Sequence, residues 1–277
     1  MPKKLTVRDV ARNMKICVYG PQGAGKTTFA AMAQDHPDMK DVLFLDCEGG
    51  LMSVVSRGDI HYERIHSTRQ LEEIFWKVAN GDPEYQRFKT FVIDSVTELQ
   101  AVNLEEVVSE AVEKEKRRRR QQETDRSIDE PHLRDYGKST TQLRRILRWY
   151  KNLPVNVILT ALPKYIYPPK KEGQQEGDQQ PIEVRPDVTD KLGNALMGLV
   201  DAVWYLYTED VRDENGNVVG KSRFMLTQDY GPFRAKTRGQ QFAQALGLVV
   251  KDPYLPDLYE LLLRTEGGEN AAAAQDE

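Results

Sequence analysis

Residues 20–28 read Gly-Pro-Gln-Gly-Ala-Gly-Lys-Thr-Thr, a complete G-x-x-x-x-G-K-[ST] pattern. Few short stretches constrain a fold so tightly, because this loop works only between a buried strand and a helix. Both flanks are present. Lys15-Ile16-Cys17-Val18-Tyr19 is a short apolar run suited to a buried parallel strand, and Phe29-Ala30-Ala31-Met32-Ala33 is a good helix former. In that setting the glycines let backbone N–H groups turn inward around phosphate oxygens. Gly20, Pro21, Gln22, Gly23, Ala24, Gly25, Lys26, Thr27 and Thr28 are therefore the candidate phosphate-binding residues. Lys26 would neutralise phosphate charge and the Thr27 hydroxyl would hold Mg²⁺. The plainer reading, a glycine turn ahead of a helix, leaves the filled positions and both flanks unexplained. The expected ligand is a nucleoside triphosphate, ATP with Mg²⁺.

At 277 residues the chain can bury one sizeable α/β core, and its length allows one or two domains. No apolar run approaches membrane-spanning length, and the opening Met-Pro-Lys-Lys lacks the apolar stretch of a signal peptide. A cytoplasmic location with no membrane partner is the expectation. Cys17 and Cys47 both fall in apolar, strand-like runs. They read as small buried hydrophobes of a reducing compartment rather than as a disulfide or a metal site. The net charge is −4, so any contact with nucleic acid must rest on local basic segments.

Strands alternate with helices along the chain in the manner of a doubly wound sheet. The apolar runs 42–46, 90–95 and 155–160 read as strands, and 71–79, 96–112 and 143–150 as helices. In the last of these Leu143, Ile146, Leu147 and Tyr150 share a face. Residues 200–207 and 222–227 read as late strands, with Asn215-Gly216-Asn217 as a hairpin turn between them. The tail from 266 to 277 is expected to be disordered.

Two carboxylate positions bear on chemistry. The run Thr90-Phe91-Val92-Ile93-Asp94-Ser95 would deliver Asp94 to the carboxyl edge of the sheet, beside the phosphate loop, where it could support a Mg²⁺ shell. At the end of the 42–46 strand, Glu48 could orient or deprotonate an attacking water. Asp46 competes for that role, and a solvated helix cap is the plainer reading for either.

Taken in order, residues 20–28, Phe44-Leu45-Asp46-Cys47-Glu48 and Val92-Ile93-Asp94-Ser95-Val96 resemble the RecA-type ATPase core. More closely, the chain resembles the small phage-encoded RecA-like ATPases of the single-strand annealing group. Supporting marks are Leu45-Asp46-Cys47-Glu48-Gly49-Gly50, Leu133-Arg134-Asp135-Tyr136-Gly137 and Pro186-Asp187-Val188-Thr189-Asp190-Lys191-Leu192. The resemblance implies an α/β RecA-like P-loop core, with a mostly parallel sheet flanked by helices and a late antiparallel hairpin. It would occupy residues 14–265 after an N-terminal extension of residues 1–13, whose segment 3–13 could dock on a neighbouring subunit. It makes Glu48 the catalytic base and, through Phe233-Arg234-Ala235-Lys236-Thr237-Arg238-Gly239, assigns Lys236 and Arg238 to a neighbour's nucleotide. Charge on the transferring phosphoryl group needs such cations. One departure is plain. An Asn-Gln pair of that family is replaced here by Thr160-Ala161, and alanine cannot stand in for an amide.

The same resemblance places mobile DNA-binding loops after the Asp94 helix and after the 155–160 strand. At the first lie Lys114 to Arg120, including Arg117, Arg118, Arg119 and Arg120; at the second, Lys164, Tyr165, Tyr167, Lys170 and Lys171 open a long polar loop reaching about Asp187. Arginines suit phosphates, and aromatics among basic residues suit stacking on a single strand. A solvated helix end with local Glu pairing is the plainer reading of the first. The implied function is a DNA-stimulated ATPase acting on single-stranded DNA in phage-type recombination or annealing, as a ring or filament in the host cytosol. A single-strand binding protein or a replicative helicase is a candidate partner. An ATP-dependent loader, or a P-loop small-molecule kinase, is the alternative.

Overall fold

The computed structural model describes residues 13–118, 127–169 and 179–266. Arg119, Arg120, Lys170, Lys171, the N-terminal extension before Asn13 and the tail beyond Glu266 lie outside those residues.

The first β-α unit forms as its sequence dictates: β1 (Lys15–Tyr19) is buried throughout, and α1 (Lys26–Ala31) buries Phe29, Ala30 and Ala31. Next come β2 (Val42–Asp46), β3 (His61–Arg64), α2 (Thr68–Ala79) and β4 (Thr90–Asp94). Helix α2 starts with a capping box, in which the Ser67 side chain accepts from Gln70 N while the Gln70 side chain accepts from Ser67 N. Two long helices follow, α3 (Val96–Arg118) and α4 (Leu133–Lys151), then β5 (Asn156–Ala161), β6 (Pro163–Ile166), β7 (Glu183–Pro186) and α5 (Asp190–Leu199). The chain continues through β8 (Ala202–Arg212), β9 (Val218–Leu226), β10 (Lys236–Thr237), α6 (Gln240–Leu246), β11 (Val249–Lys251) and α7 (Leu255–Glu266).

The main sheet runs β11-β9-β8-β1-β5-β4-β2-β3, with β10 also paired to β8. From β8 to β3 the pairing is parallel, and β9 with β8 makes the antiparallel hairpin. Register brings the strand ends into line: Tyr19 sits beside Ala161 and Tyr205, and Asp46 beside Asp94. Strands β1, β5, β4, β2 and β3 therefore finish along one carboxyl edge, the edge from which the 20–28 loop rises. One face of the sheet packs on α2, α3, α4 and α5 through Leu71, Leu99, Leu143, Ile146 and Leu196; the other packs on α1, α6 and α7 through Phe29, Phe242 and Leu258. Trp204, fully buried, meets Phe29 edge to face at 6.4 Å, and burial of side chains this size contributes about 1.5–3 kcal/mol each.

Helices α3 and α4 run antiparallel, tied by Asn103 Nδ2 to Gln142 Oε1 (3.0 Å) and by Lys138 to Glu110 (2.6 Å). A 19-residue helix such as α4 spans about 28 Å, whereas five-residue strands span roughly 17 Å. Only its C-terminal half, from Leu143 to Tyr150, covers the sheet. Its N-terminal half and the distal part of α3 reach past the carboxyl edge.

Sequence patterning understated some elements. Helix α4 begins ten residues earlier than the 143–150 stripe, because its first turns are polar and packed against α3 rather than on the core. The long loop expected from Lys164 to Asp187 is an antiparallel β6–β7 hairpin, with Lys164 opposite Arg185 and Tyr165 opposite Val184. Glu266, expected to open the tail, ends α7, and its carboxylate accepts from Phe242 N at 3.1 Å. Both cysteines are buried and unpaired, and burial pushes the Cys17 thiol up to about 12. Among the described residues no helix is long and apolar enough to cross a membrane.

At the opposite, amino edge, Lys15 is 6% exposed and its ammonium donates to the carbonyls of Leu153 (2.8 Å) and Val155. Burial lowers its pKa from 10.5 to about 7, Asp201 opposing and Lys151 adding repulsion. The unfolded chain holds this proton more tightly. Folded-state stability should therefore rise between pH 7 and pH 10.5, by up to ~1.4 kcal/mol per pH unit. Urea unfolding across that window should show the rise in the wild type and a flatter dependence in Lys15→Met.

Candidate active site

Gly20 leaves β1 so close to β8 that a Cβ on it would meet Leu206 O at 2.0 Å. Only glycine fits there. Gly25 then turns the chain with φ +88°, and α1 starts at Lys26. The Lys26 ammonium donates to Gly20 O (2.9 Å) and Pro21 O (3.0 Å), lying across its own loop. Phosphate oxygens would take over those bonds. Burial holds this ammonium below the ordinary lysine value, with Glu48 and Asp94 pulling the other way.

Asp94 ends β4 with 3% exposure and accepts two hydroxyls. Thr27 Oγ1 reaches Oδ2 at 2.8 Å, and Thr160 Oγ1 reaches Oδ1. Burial raises the Asp94 pKa, the two hydroxyls oppose that shift, and the charges of Glu48 and Asp46 add to it. Thr27 and Asp94 thus offer hard oxygen donors within hydrogen-bond distance of each other, a set that fits Mg²⁺. Bound there with a nucleotide, Mg²⁺ would screen the charge of the transferring phosphoryl group. Among the described residues no cluster of three or more His, Cys, Asp or Glu side chains offers another metal site.

Asp46 and Glu48 differ in burial and in their partners. Asp46 is 3% exposed; its Oδ1 accepts from Gly49 N (2.7 Å) and Glu48 N (3.2 Å), and its Oδ2 pairs with Arg64 (2.9 Å). It holds the turn. Glu48 stays exposed, and its Oε1 accepts from Ser95 Oγ at 2.5 Å. Cys47 N and Glu48 N both donate to Asp94 O, at 2.8 and 3.3 Å. The turn carrying Glu48 is therefore suspended from the end of β4, next to Lys26. A carboxylate so placed can accept a proton from water directed at a phosphate held by the loop.

Sequence reasoning named Ser95 and Thr160 without their partners. It missed Arg64 and also Arg223, whose Nε donates to Ala24 O at 3.0 Å across 199 positions. Pattern gives no signal for such a contact; it needs the order of strands. Lys236 and Arg238 lie elsewhere in the chain. Lys236 pairs with Val203 in the register, near the amino edge, and donates to Val200 O at 2.8 Å. Arg238 binds Asp201 (3.1 Å) and Gly198 O (2.6 Å). Within one protomer neither is brought to the 20–28 loop.

The basic segments divide. Arg117 and Arg118 are exposed at the end of α3, Lys116 pairs with Glu113 at 3.6 Å, and a cleft of about 830 Å³ includes Lys114, Arg118, Arg134 and Lys138 beside Glu110 and Glu115. In the hairpin, Lys164 pairs with Asp190 at 3.2 Å, while Tyr165 and Tyr167 are 42% and 51% exposed.

The sequence model described as an AAA domain matches residues 12–239. The chain belongs to this AAA domain family. It is a P-loop ATPase. No curated protein matches the chain.

Removing the Thr160 hydroxyl deletes a hydrogen bond that favours ionised Asp94, so Thr160→Val should raise the Asp94 pKa further. The acid limb of the ATPase pH profile should move to higher pH, with hydrolysis on that limb several-fold lower and the alkaline plateau little changed. Steady-state rates across the acid range at saturating Mg²⁺ check this.

Proposed function

We propose that this ATPase works on single-stranded DNA, in recombination or annealing of the phage type, as an oligomer that uses ATP to control its grip on the strand. The observation that carries the reading is Tyr19. It is the last residue of β1, immediately before the phosphate loop, and its hydroxyl proton is shared between two carbonyl oxygens in hydrogen-bond range, Arg234 O (2.7 Å) and Val184 O (3.0 Å). The strand that feeds the nucleotide site is thereby bonded to the hairpin bearing Tyr165 and Tyr167. Both basic elements also leave from the carboxyl edge, the hairpin after β5 and the α3–α4 pair after β4.

Exposed tyrosines beside cations suit stacking of successive bases with contact to the backbone, without sequence preference. The Lys164–Asp190 pair is an exposed one, worth at most about 1 kcal/mol, so a phosphate can compete for Lys164. In the assembled form Lys236 and Arg238 would exchange their present carbonyl and Asp201 partners for a neighbour's nucleotide. Mixing Lys26→Ala with Arg238→Ala subunits reads that directly, since a shared site recovers activity in the mixture.

The decisive experiment is ATPase rate with and without single-stranded DNA. The wild type should be stimulated, Glu48→Gln should bind ATP while losing about 10²-fold or more of its hydrolysis, and Tyr165→Ala with Tyr167→Ala should keep basal hydrolysis but lose the stimulation. Hydrolysis indifferent to DNA, with complexes formed only with a helicase, would favour the loader reading and contradict this one.

A further inference from the structure

Arg223 stands in β9 opposite Thr208 of β8, on the α1 side of the sheet. Its Nε donates to Ala24 O, and a Cβ built on Gly25 would lie 2.4 Å from its Nη2, 2.6 Å from its Cζ and 2.7 Å from its Nε. Three near-equal distances mean that one flat face of the guanidinium lies against Gly25, so a ligand would use the opposite face. Asp252 is adjacent but accepts from the Arg223 backbone N (2.9 Å), and among the described residues no ion pair uses this guanidinium. A partly buried cation is thus fixed on the loop, and no carboxylate among the described residues pairs with it.

Its position relative to the loop says which part of a ligand it meets. The phosphate cradle is made of N–H groups turned inward, and Ala24 O, which takes Arg223, is not one of the carbonyls that hold Lys26 across the loop. Bonded to Ala24 O, Arg223 sits on the outer shoulder, not in the cradle. It also sits on the β8–β9 flank, whereas Thr27, Asp94, Ser95 and Glu48 gather on the flank of β5, β4 and β2. A triphosphate whose terminal phosphoryl group lies toward Glu48 and Asp94 has its nucleoside end toward Arg223.

We propose that the Arg223 guanidinium is the platform on which the nucleotide's base stacks. The inference rests on the nucleotide-binding reading above and adds a nucleoside subsite to it. A planar, weakly hydrated guanidinium suits the face of an aromatic base, and β8–β9 holds the plane by its backbone bond to Asp252 and by the Ala24 bond. Such a platform reads the π face and leaves the phosphates to the loop.

Three probes separate the possibilities by titration calorimetry on the full chain: ADP, a non-hydrolysable ATP analogue and inorganic tripolyphosphate. In Arg223→Gln, affinity for ADP and for the analogue should fall alike, about tenfold, while tripolyphosphate binding stays at the wild-type level. Arg223→Lys keeps the charge without the plane and should recover only a small part of the loss; it serves equally should the glutamine variant melt earlier. Unchanged nucleotide binding, a loss confined to the triphosphate, a matching loss for tripolyphosphate, or full rescue by lysine each overturns the platform. A wild-type chain that binds none of the three probes sinks the nucleotide reading as well, whereas those outcomes sink this inference alone.

Discussion

The Asp94 carboxylate is the point on which the site depends. It is buried, and it takes one hydroxyl from the phosphate loop, Thr27, and another from β5, Thr160. Leaving an ionised carboxyl unpaired at that depth would cost several kcal/mol. The two threonines remove much of that cost and, in doing so, lock loop and strands into one register. The same strand end accepts Cys47 N and Glu48 N through the Asp94 carbonyl. The Asp94 carboxylate, the phosphate loop and the turn carrying Glu48 are thus positioned by one strand terminus, and no separate scaffold is needed for each.

This arrangement also sorts residues that look alike in sequence. Asp46 and Glu48 are two positions apart in the same apolar-to-acidic run. One is spent on Arg64 and the backbone of its own turn; the other is left at the mouth of the site. What separates them is burial. A carboxylate at 3% exposure must have partners on both oxygens, whereas an exposed one can keep a single hydrogen bond to Ser95 and still meet water.

Much of this was legible before any coordinates. The strands Lys15–Tyr19 and Val42–Asp46 have the bounds that their apolar runs announce, because a strand buried on both faces must be apolar throughout. The phosphate loop needed only its own spacing. Strand β3 was not legible: His61-Tyr62-Glu63-Arg64 lies at the sheet margin, partly or fully exposed, and so carries no apolar run. The β6–β7 hairpin was hidden for a related reason, since Lys164 and Tyr165 are held by pairing rather than by core burial. Arg223 on Gly25 was beyond any local pattern, because that contact exists only once β8 and β9 are laid beside β1. The distribution of charge was legible in part. The basic end of α3 was visible, but its neighbours Arg134 and Lys138 come from α4, whose first turns carry no apolar stripe.

The central claim is that Asp94, held by Thr27 and Thr160, is where the protein couples a metal to the nucleotide. Asparagine keeps the shape and can still bond both hydroxyls, so Asp94→Asn isolates the charge from the fold. ATP affinity titrated against Mg²⁺ in the two proteins is the direct measurement. The account predicts that Mg²⁺ tightens ATP binding in the wild type and has about tenfold less effect or more in Asp94→Asn, with metal-free binding and thermal stability similar. A correctly folded Asp94→Asn protein that retains the full Mg²⁺ enhancement would contradict it.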